Sequence, residues 1–352
     1  MENIHYPLGD TLPEIGQLEK VKDGVFWLRM PLPFALDHIN LWLLRDCFEG
    51  KEGWTIVDCG ITSDITKQAW ETIFANCLEG LPIVRVIVTH MHPDHVGLAH
   101  WLCEKWQVPL WMSMTDFLMA KWLSSKEGGQ NIGSVSGGGG SADHFYKHGL
   151  TEEEDLEKIR ARAAHYSNLV PQVPQRFRRV MDKDEVQIGN RIWRAISGHG
   201  HSPEHLSFAC VEDRIMISGD MMLPRISTNI SVYDAEPDAD PLGLFLDSIA
   251  KYEILDKETL VLPSHGKPFI GLHYRIQQLR EHHDARLKET LDACKEPTTA
   301  RKILPILFHR KLDIHQMTFA MGEAIAHLNY LWRKGLVKRQ LDSNGILWFS
   351  QQ

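Results

Sequence analysis

The sequence lacks the features that would place this protein in or across a membrane. None of its apolar runs approaches the roughly 18 residues that indicate a membrane-spanning helix. Its first residues include no positively charged segment followed by an apolar one, so they do not predict a signal peptide. Six cysteines are scattered along the chain without a C-x-x-C pair, which indicates reduced thiols. These absences predict a cytoplasmic protein with no membrane partner.

The chain also lacks an excess of positive charge. Its formal net charge is −8, which argues against a general nucleic-acid partner, although a local basic patch is compatible with that value. Hydrophobic residues make up 43% and charged residues 24% of the chain, as is typical of a globular protein with an ample core. At roughly 100–200 residues per domain, the length leaves room for one large domain and a smaller one.

The most informative stretch follows an apolar run at Ile83–Val88, which predicts a buried β-strand. Directly after this run the chain reads Thr-His-Met-His-Pro-Asp-His-Val-Gly. His90 and His92 can reach one cation, while Asp94 and His95 lie further along the turn and can reach a second. A solvated, histidine-rich turn is the ordinary alternative, but the density of ligand-type side chains favours a metal site.

Four other motifs carry residues of the same chemical type. They are Thr-Ile-Val-Asp-Cys-Gly with Asp58, Gly-His-Ser-Pro-Glu-His with His201, Ile-Ser-Gly-Asp with Asp220, and Leu-Pro-Ser-His-Gly with His265. The motif at residues 89–97 lies after the Asp58 motif and before the other three. In this order along the chain, the five motifs resemble the signature of the metallo-β-lactamase fold superfamily. The resemblance covers about residues 20–270. It implies an α/β fold, the αββα sandwich of that superfamily.

The resemblance also implies how the metal ligands divide. One site would be formed by His90, His92 and His201, and the other by Asp94, His95 and His265, with Asp220 bridging the two. Asp58 would support the site from below, and Asp94 would be the catalytic residue that orients the attacking hydroxide. We expect two divalent metal ions, with zinc before iron or manganese, because imidazole and carboxylate ligands suit all three metals.

Two further histidines lie close to this set in the sequence. His199 is the alternative to His201, although the spacing of the motif selects His201. His205 begins the next predicted strand, and in the resembling proteins such a histidine usually lies outside the ligand set. We therefore expect neither to bind metal.

The candidates for substrate contact lie in two loops. In the resembling enzymes an early hairpin leans over the metal site, which makes Phe34 and His38 candidates. The long loop after Asp220 leaves directly from a predicted ligand, and long irregular loops within a domain are usually functional. Its candidates for substrate binding are Arg225, Asn229 and Tyr233.

The chain is predicted to form a catalytic domain over residues 1–270, with a lid-like insertion at 113–179, and a C-terminal domain over 271–352. The glycine-rich stretch Gly128–Ser141 lacks the Lys-Ser/Thr of a phosphate-binding loop, so we expect a flexible loop. Three predicted helices and a hairpin give the C-terminal domain a resemblance to a winged helix. The third helix carries an apolar stripe, which we expect to pack on the catalytic domain or on a second copy in a homodimer.

These patterns predict a metal-dependent hydrolase. Two metal ions can share a water, make hydroxide available at neutral pH and polarise a carbonyl group. The residues expected at the mouth of the site are mostly apolar or neutral, with Arg225 as the one fixed cation, so we expect a small-molecule ester, thioester or lactone as substrate. A glyoxalase-II-like thioesterase is one version, but the tail contains no recognisable glutathione-binding pattern. The alternative is a metal-dependent phosphodiesterase or ribonuclease of the same superfamily. Basic residues in the tail favour that alternative, and the overall acidity disfavours it.

Overall fold

The computed structural model describes residues 3–125, 139–162 and 165–352, and the chain forms two compact units. The first unit comprises Met1–Lys121, Leu169–Thr228 and Ser248–Ile276, and the second comprises Trp122–Asn168, Asn229–Asp247 and Gln277–Gln352. The second unit therefore contains the C-terminal segment together with two internal segments of the region predicted as the catalytic domain. Most of the predicted glycine-rich loop and part of the predicted lid lie outside the described residues.

The first unit is built on two β-sheets. The larger sheet contains, in spatial order, β1 (Glu19–Lys22), β2 (Val25–Pro31), β3 (His38–Phe48), β4 (Lys51–Val57), β5 (Ile83–Ile87), β6 (Leu110–Met112) and β7 (Phe177–Arg179). The smaller sheet contains β8 (Glu185–Ile188), β9 (Arg191–Gly198), β10 (His205–Cys210), β11 (Ile215–Gly219) and β12 (Leu260–Pro263), also in spatial order. Pairing is antiparallel from β1 to β4 and from β8 to β11, and parallel elsewhere.

The helices follow in chain order. They are α1 (Asp64–Asn76), α2 (Pro93–Val96), α3 (Ala99–Trp106), α4 (Met114–Leu123), α5 (Gly139–Lys147), α6 (Glu153–Arg160), α7 (His165–Leu169), α8 (Pro241–Ala250), a 3₁₀ turn (Lys251–Ile254), α9 (Leu272–Ala293), α10 (Ala300–Leu307) and α11 (Ile314–Arg333). Among the described residues, none of these helices is both long enough and apolar enough to cross a membrane. The second unit also contains a hairpin of β13 (Val337–Leu341) and β14 (Leu347–Gln351).

Large side chains from both sheets of the first unit meet in one core. Trp27 and Trp42 come from the larger sheet and stack with ring centroids 6.4 Å apart, and the core also includes Trp193 and Phe208 from the smaller sheet. All four are almost completely buried. Removing such a side chain from water stabilises a fold by about 1.5–3 kcal/mol. The mixed α/β sandwich implied by the sequence resemblance is confirmed.

One predicted helix near the ligand motif is interrupted. The sequence predicts a continuous helix from His95 to Trp106, but the structure has α2 and α3 instead. The main-chain N–H of Leu98 donates to the carbonyl of Gly60 rather than into a helical turn, at 3.1 Å. Gly97 permits this approach, because a Cβ there would lie 2.8 Å from the backbone of Gly60. The break anchors the ligand loop to the end of β4.

A buried ion pair links the two sheets of the first unit. The Asp46 carboxylate accepts hydrogen bonds from Arg85 Nε at 2.7 Å and from the Gly189 N–H, in the turn after β8, at 2.8 Å. The guanidinium of Arg85 also donates to the carbonyl of Gln187. Arg85 is therefore a buried charge within an otherwise apolar strand, and its partners span both sheets.

The second unit buries the apolar stripe of the C-terminal segment. The three helices and the hairpin predicted for this segment are confirmed, as α9, α10, α11, β13 and β14. In the stripe predicted on α11, Met321, Ala324, Ile325, Leu328 and Leu331 are buried, and Met317 and Trp332 are half-buried. The neighbours of α11 within this unit include α6, α10 and β13. Elements of the same chain therefore cover the stripe, while the winged-helix likeness and the homodimer stay predictions.

We expect Asp46→Asn to destabilise the protein by about 3–5 kcal/mol, because it leaves the charge of Arg85 buried without its partner. The matched control is Glu79→Gln, which breaks the exposed pair with Arg45 at 3.1 Å and should cost about 0–1 kcal/mol. Denaturant unfolding followed by tryptophan fluorescence measures both. Equal effects of the two substitutions would contradict a structural role for the buried pair.

Candidate functional site

The predicted ligand residues follow the ends of strands in the two sheets. His90 follows β5, His201 follows β9, Asp220 follows β11 and His265 follows β12. His92 is the residue before α2, and its backbone is extended (φ −62°, ψ 149°), which is the conformation that a following proline favours. Asp94 and His95 then lie on α2 itself.

The structure brings the seven predicted ligands into two adjacent groups. The first donor group consists of His90, His92, His201 and Asp220, and the second donor group consists of Asp94, His95 and His265. Within each group the candidate ligand atoms lie within 4.8 Å of one another. Each group could therefore hold a metal ion.

Three ring nitrogens converge in the first donor group. His90 Nε2 lies 2.9 Å from His92 Nδ1 and 3.2 Å from His201 Nε2, and the last two atoms are 3.0 Å apart. Three nitrogens this close cannot all be satisfied by N–H donors, because each proton points toward only one neighbour. A cation between them satisfies all three lone pairs at once, which fits the donor set.

Asp220 faces both donor groups. Its Oδ2 lies 3.2 Å from His201 Nε2, whereas its Oδ1 lies 3.4 Å from His265 Nε2 and 3.5 Å from His95 Nε2. Oδ1 and His95 Nε2 are buried and have no hydrogen-bond partner among the described residues. Buried polar atoms without partners are costly, and a metal ion would satisfy both. Asp94 Oδ2 completes the second donor group at 3.4 Å from His265 Nε2.

The outer nitrogens of two histidines in the second donor group are held by hydrogen bonds. Asp58 Oδ2 lies 2.8 Å from His95 Nδ1, and its carboxylate also accepts the N–H and hydroxyl of Thr89. His265 Nδ1 donates to the main-chain carbonyl of His38 at 2.8 Å. These bonds leave Nε2 of both rings pointing into the second donor group, as metal-binding histidines require. Asp58 therefore contacts a candidate ligand, and its supporting role stays a prediction.

The histidine pKa values shift in opposite directions in the two donor groups. In the first, burial and the neighbouring histidines hold the pKa of His90 well below its ordinary value and lower that of His92 to about 3. Neutral imidazole is the form that binds metal. In the second, burial alone would lower the pKa of His265, but Asp220 and Asp94 raise it to about 10. The two carboxylates therefore favour a positive charge at this position, which a divalent cation would supply.

The two additional histidines considered from the sequence lie in neither donor group. His199 Nδ1 donates to the carbonyl of Pro203 at 2.7 Å. His205 Nε2 accepts the main-chain N–H of Asp220 at 3.1 Å. His205 thereby fixes the backbone of Asp220 without joining the donor set.

The candidates for substrate contact are divided between the two units. His38 and Arg225 line one pocket of the first unit, together with Tyr6, Leu12, Arg29, Pro224, Gly266 and Lys267. The ring of His38 is committed within the protein, with Nδ1 at 2.6 Å from Asp37 and Nε2 accepting the Gly266 N–H at 2.9 Å. Asn229 and Tyr233 belong to the second unit, and their role stays a prediction.

Sequence reasoning missed Asp116, which joins two ligand loops. Its Oδ1 accepts the N–H of Met91 at 2.9 Å, and its Oδ2 accepts the N–H of Glu204. Met91 lies between His90 and His92, and Glu204 lies three residues after His201. Burial raises the pKa of the Asp116 carboxyl to about 6. The only local signal was an acidic residue in the first turn of α4, which commonly stabilises a helix N-terminus.

Comparisons with known proteins agree with this geometry. The model of the metallo-beta-lactamase superfamily matches residues 35–265, and that of the metallo-beta-lactamase-like C-terminal domain matches residues 287–352. The chain is 21% identical over 336 residues to the probable metallo-hydrolase YqjP of Bacillus subtilis, covering 92% of this chain and 97% of that protein. It is 22% identical over 345 residues to the beta-lactamase-like protein 2 homolog of Caenorhabditis elegans, covering 96% and 90%.

Solved structures extend the likeness over nearly the whole chain. A beta-lactamase domain protein from Burkholderia ambifaria is 52% identical with a TM-score of 0.92, over 99% of this chain and 98% of that one. A metallo-beta-lactamase family protein from Thermus thermophilus is 25% identical with a TM-score of 0.76, over 95% of this chain and 100% of that one. The chain therefore belongs to the metallo-beta-lactamase superfamily and is a metal-dependent hydrolase of that superfamily.

Proposed function

We propose that this protein binds two divalent metal ions and hydrolyses the carbonyl group of a small ester, thioester or lactone. The observation that carries the dinuclear proposal is the placement of Asp220, whose two carboxylate oxygens face different donor groups. A carboxylate in this position would help to hold a metal ion in each donor group. Its burial among histidines supports that role, since a buried carboxylate without a cation is costly.

The donor set favours zinc, with iron and manganese as alternatives. The two groups supply five imidazoles and two carboxylates, and no cysteine is among them. Imidazole binds zinc, iron and manganese, while the two carboxylates add affinity for the harder ions. The absence of a cysteine at the Asp220 position disfavours the antibiotic-hydrolysing activity of some true β-lactamases.

Residues of this chain position the groups that react. When bound, the divalent ions supply Lewis acidity and a nucleophile at neutral pH. Asp94 is the more exposed carboxylate of the donor set, with 19% of its side chain accessible compared with 10% for Asp220. This exposure supports a role for Asp94 in orienting the nucleophile and in carrying a proton toward the leaving group. Asp58 and the carbonyl of His38 keep His95 and His265 in the orientation that this chemistry requires.

The pocket of the first unit supports a small-molecule substrate. Leu12, Pro224 and the ring of Tyr6 supply apolar walls, and Arg225 supplies a cation. Pockets for small ligands usually combine apolar walls with a few polar groups that set orientation. We also propose that Asn229 and Tyr233 contact the substrate. For the C-terminal segment we propose a winged-helix-like fold and a role in assembly. We further propose that the protein is cytoplasmic and that it forms a homodimer.

A metal-dependent phosphodiesterase or ribonuclease is the second candidate, because the same pocket contains positive charge besides that of Arg225. Arg29 and Lys267 line it in addition to Arg225. Several cations would suit a phosphate backbone. A carbonyl substrate with one anionic group would use the same residues.

Two metal ions per chain are expected in the saturated protein. Elemental analysis after removal of free metal should give a value well above one, and close to two. Asp220→Ala should lower that value and abolish turnover, because it removes the bridging carboxylate. The control is Asp256→Asn, which alters a carboxylate paired with Arg214 and should change neither quantity. A consistent value of one ion per chain at saturating metal would exclude the dinuclear proposal.

Asp116→Ala should weaken metal binding by about 10–100-fold, because it releases the two loops that carry His90, His92 and His201. Competition with a chelator measures the affinity, and melting temperatures identify any general loss of stability. Glu104→Gln, an exposed carboxylate on α3, is the control. Unchanged metal affinity in a folded Asp116→Ala protein would contradict the positioning role.

Hydrolysis assays on metal-replete protein separate the two candidate functions. The panel comprises an aryl ester, a thioester, a lactone, a bis-aryl phosphodiester and a short RNA. We expect cleavage of at least one carbonyl substrate and little cleavage of the phosphodiesters. Efficient cleavage of RNA or of the bis-aryl phosphodiester, with all acyl substrates inert, would reverse the proposal.

A further inference from the structure

We propose that the pocket lined by Arg29, Arg225 and Lys267 is an anion-binding subsite, which holds a carboxylate or phosphate group of a small substrate remote from the bond that is cleaved. We call it the anion subsite. The inference rests on the proposed function only in placing bond cleavage at the two donor groups. The choice between acyl and phosphoryl chemistry does not affect it.

Three cations from distant parts of the sequence converge on this pocket. Arg29 lies on β2, Arg225 lies in the loop after Asp220, and Lys267 lies two residues after His265. Like charges placed together repel one another, so such a convergence is unfavourable unless an anion compensates for it. The guanidinium and ammonium groups are also the side chains that bind carboxylate and phosphate most strongly.

The carboxylates of the protein leave part of this charge uncompensated. Lys267 Nζ lies 2.8 Å from the carboxylate of Asp10, whose side chain is fully exposed, and donates to the carbonyl of Gly9 at 2.9 Å. Asp37, with 82% of its side chain exposed, lies 2.6 Å from His38 Nδ1. Arg29 Nε is buried and has no hydrogen-bond partner among the described residues. Arg225 lies over the ring of Tyr6, 5.8 Å from its centroid.

Two features of the fold position Arg225 at this pocket. Gly266 has a φ of +88°, and a Cβ there would lie 2.7 Å from Pro224 Cγ, so glycine lets the two loops approach closely. Arg275 donates to the carbonyls of Leu223 and Ile226, both at 2.7 Å, and thus holds the loop on either side of Arg225. Because Arg275 is buried, its hydrogen bonds tie the loop that carries Arg225 to the core of the first unit.

The anion subsite begins next to the second donor group. Gly266 and His38 both line the pocket, Gly266 directly follows His265, and the carbonyl of His38 accepts the hydrogen bond from His265 Nδ1. We place the anionic group of a small substrate among the three cations, with its reacting group directed toward the second donor group. Apolar contact with Leu12 and Pro224 suits a short aliphatic or aryl connection between the two groups.

The subsite is tested by equilibrium binding to metal-replete protein, because binding does not depend on turnover. The probes are glutarate, its neutral analogue glutaramide, and inorganic phosphate, measured by titration calorimetry. Wild-type protein should bind glutarate or phosphate at least about tenfold more tightly than glutaramide. Arg225→Ala and Arg29→Gln should each weaken binding of the anion by about tenfold, and the exposed control Arg214→Ala should have no effect. Arg225 is exposed, so its replacement should leave the fold intact.

Binding of the anions that is unchanged in both folded arginine variants would overturn the subsite, since the donor-group metals alone would then account for it. Equal affinity for glutarate and glutaramide would overturn it as well. The two anionic probes distinguish a carboxylate site from a phosphate site. If anion binding depends on the arginines while the acyl substrates of the panel are inert, the subsite stands and acyl hydrolysis fails. If acyl substrates are hydrolysed while anion binding does not depend on the arginines, acyl hydrolysis stands and the subsite fails.

Discussion

The carboxylate of Asp220 lies among histidines from both donor groups, with one oxygen 3.2 Å from His201 and the other 3.4 Å from His265. Concentrating so many titratable groups in the interior is unfavourable unless their charges and lone pairs are satisfied. The protein meets this constraint by keeping His90 and His92 neutral and by surrounding His95 and His265 with carboxylates. This pattern of lone pairs and negative charge is the one that divalent cations would satisfy.

Rigid support for that arrangement comes from residues that do not belong to the donor groups. Asp58, on a backbone with a φ of +63°, directs its carboxylate to His95. Asp116 holds the loops on either side of the first donor group, and His205 holds the backbone of Asp220. Each support consists of a buried hydrogen bond, which fixes geometry because breaking it would leave an unpaired polar group. The buried Asp46–Arg85 pair performs a similar function between the two sheets.

The pocket beside the second donor group follows from the same supports. His38 contributes its carbonyl to His265 and its ring to Gly266, so one residue connects the metal ligands to the pocket wall. The close approach of Gly266 to Pro224 then brings Arg225 and Lys267 to one place. The proposed anion subsite and the donor groups therefore share the same supporting residues in the first unit.

The sequence by itself determined the ligand-type residues, because each of them lies in a short motif directly after an apolar strand, where periodicity and side-chain chemistry are local properties. The sandwich was implied by the resemblance of those motifs to the superfamily, and the three helices and the hairpin of the C-terminal segment were predicted from local patterns. Only the tertiary structure decided that Asp116 joins two ligand loops and that Arg29 and Lys267 share a pocket with Arg225. It also decided that residues 122–168 and 229–247 form a unit with the C-terminal segment. These facts depend on contacts between residues far apart in the chain, and a single acidic or basic side chain carries no local signal of the partner it will meet.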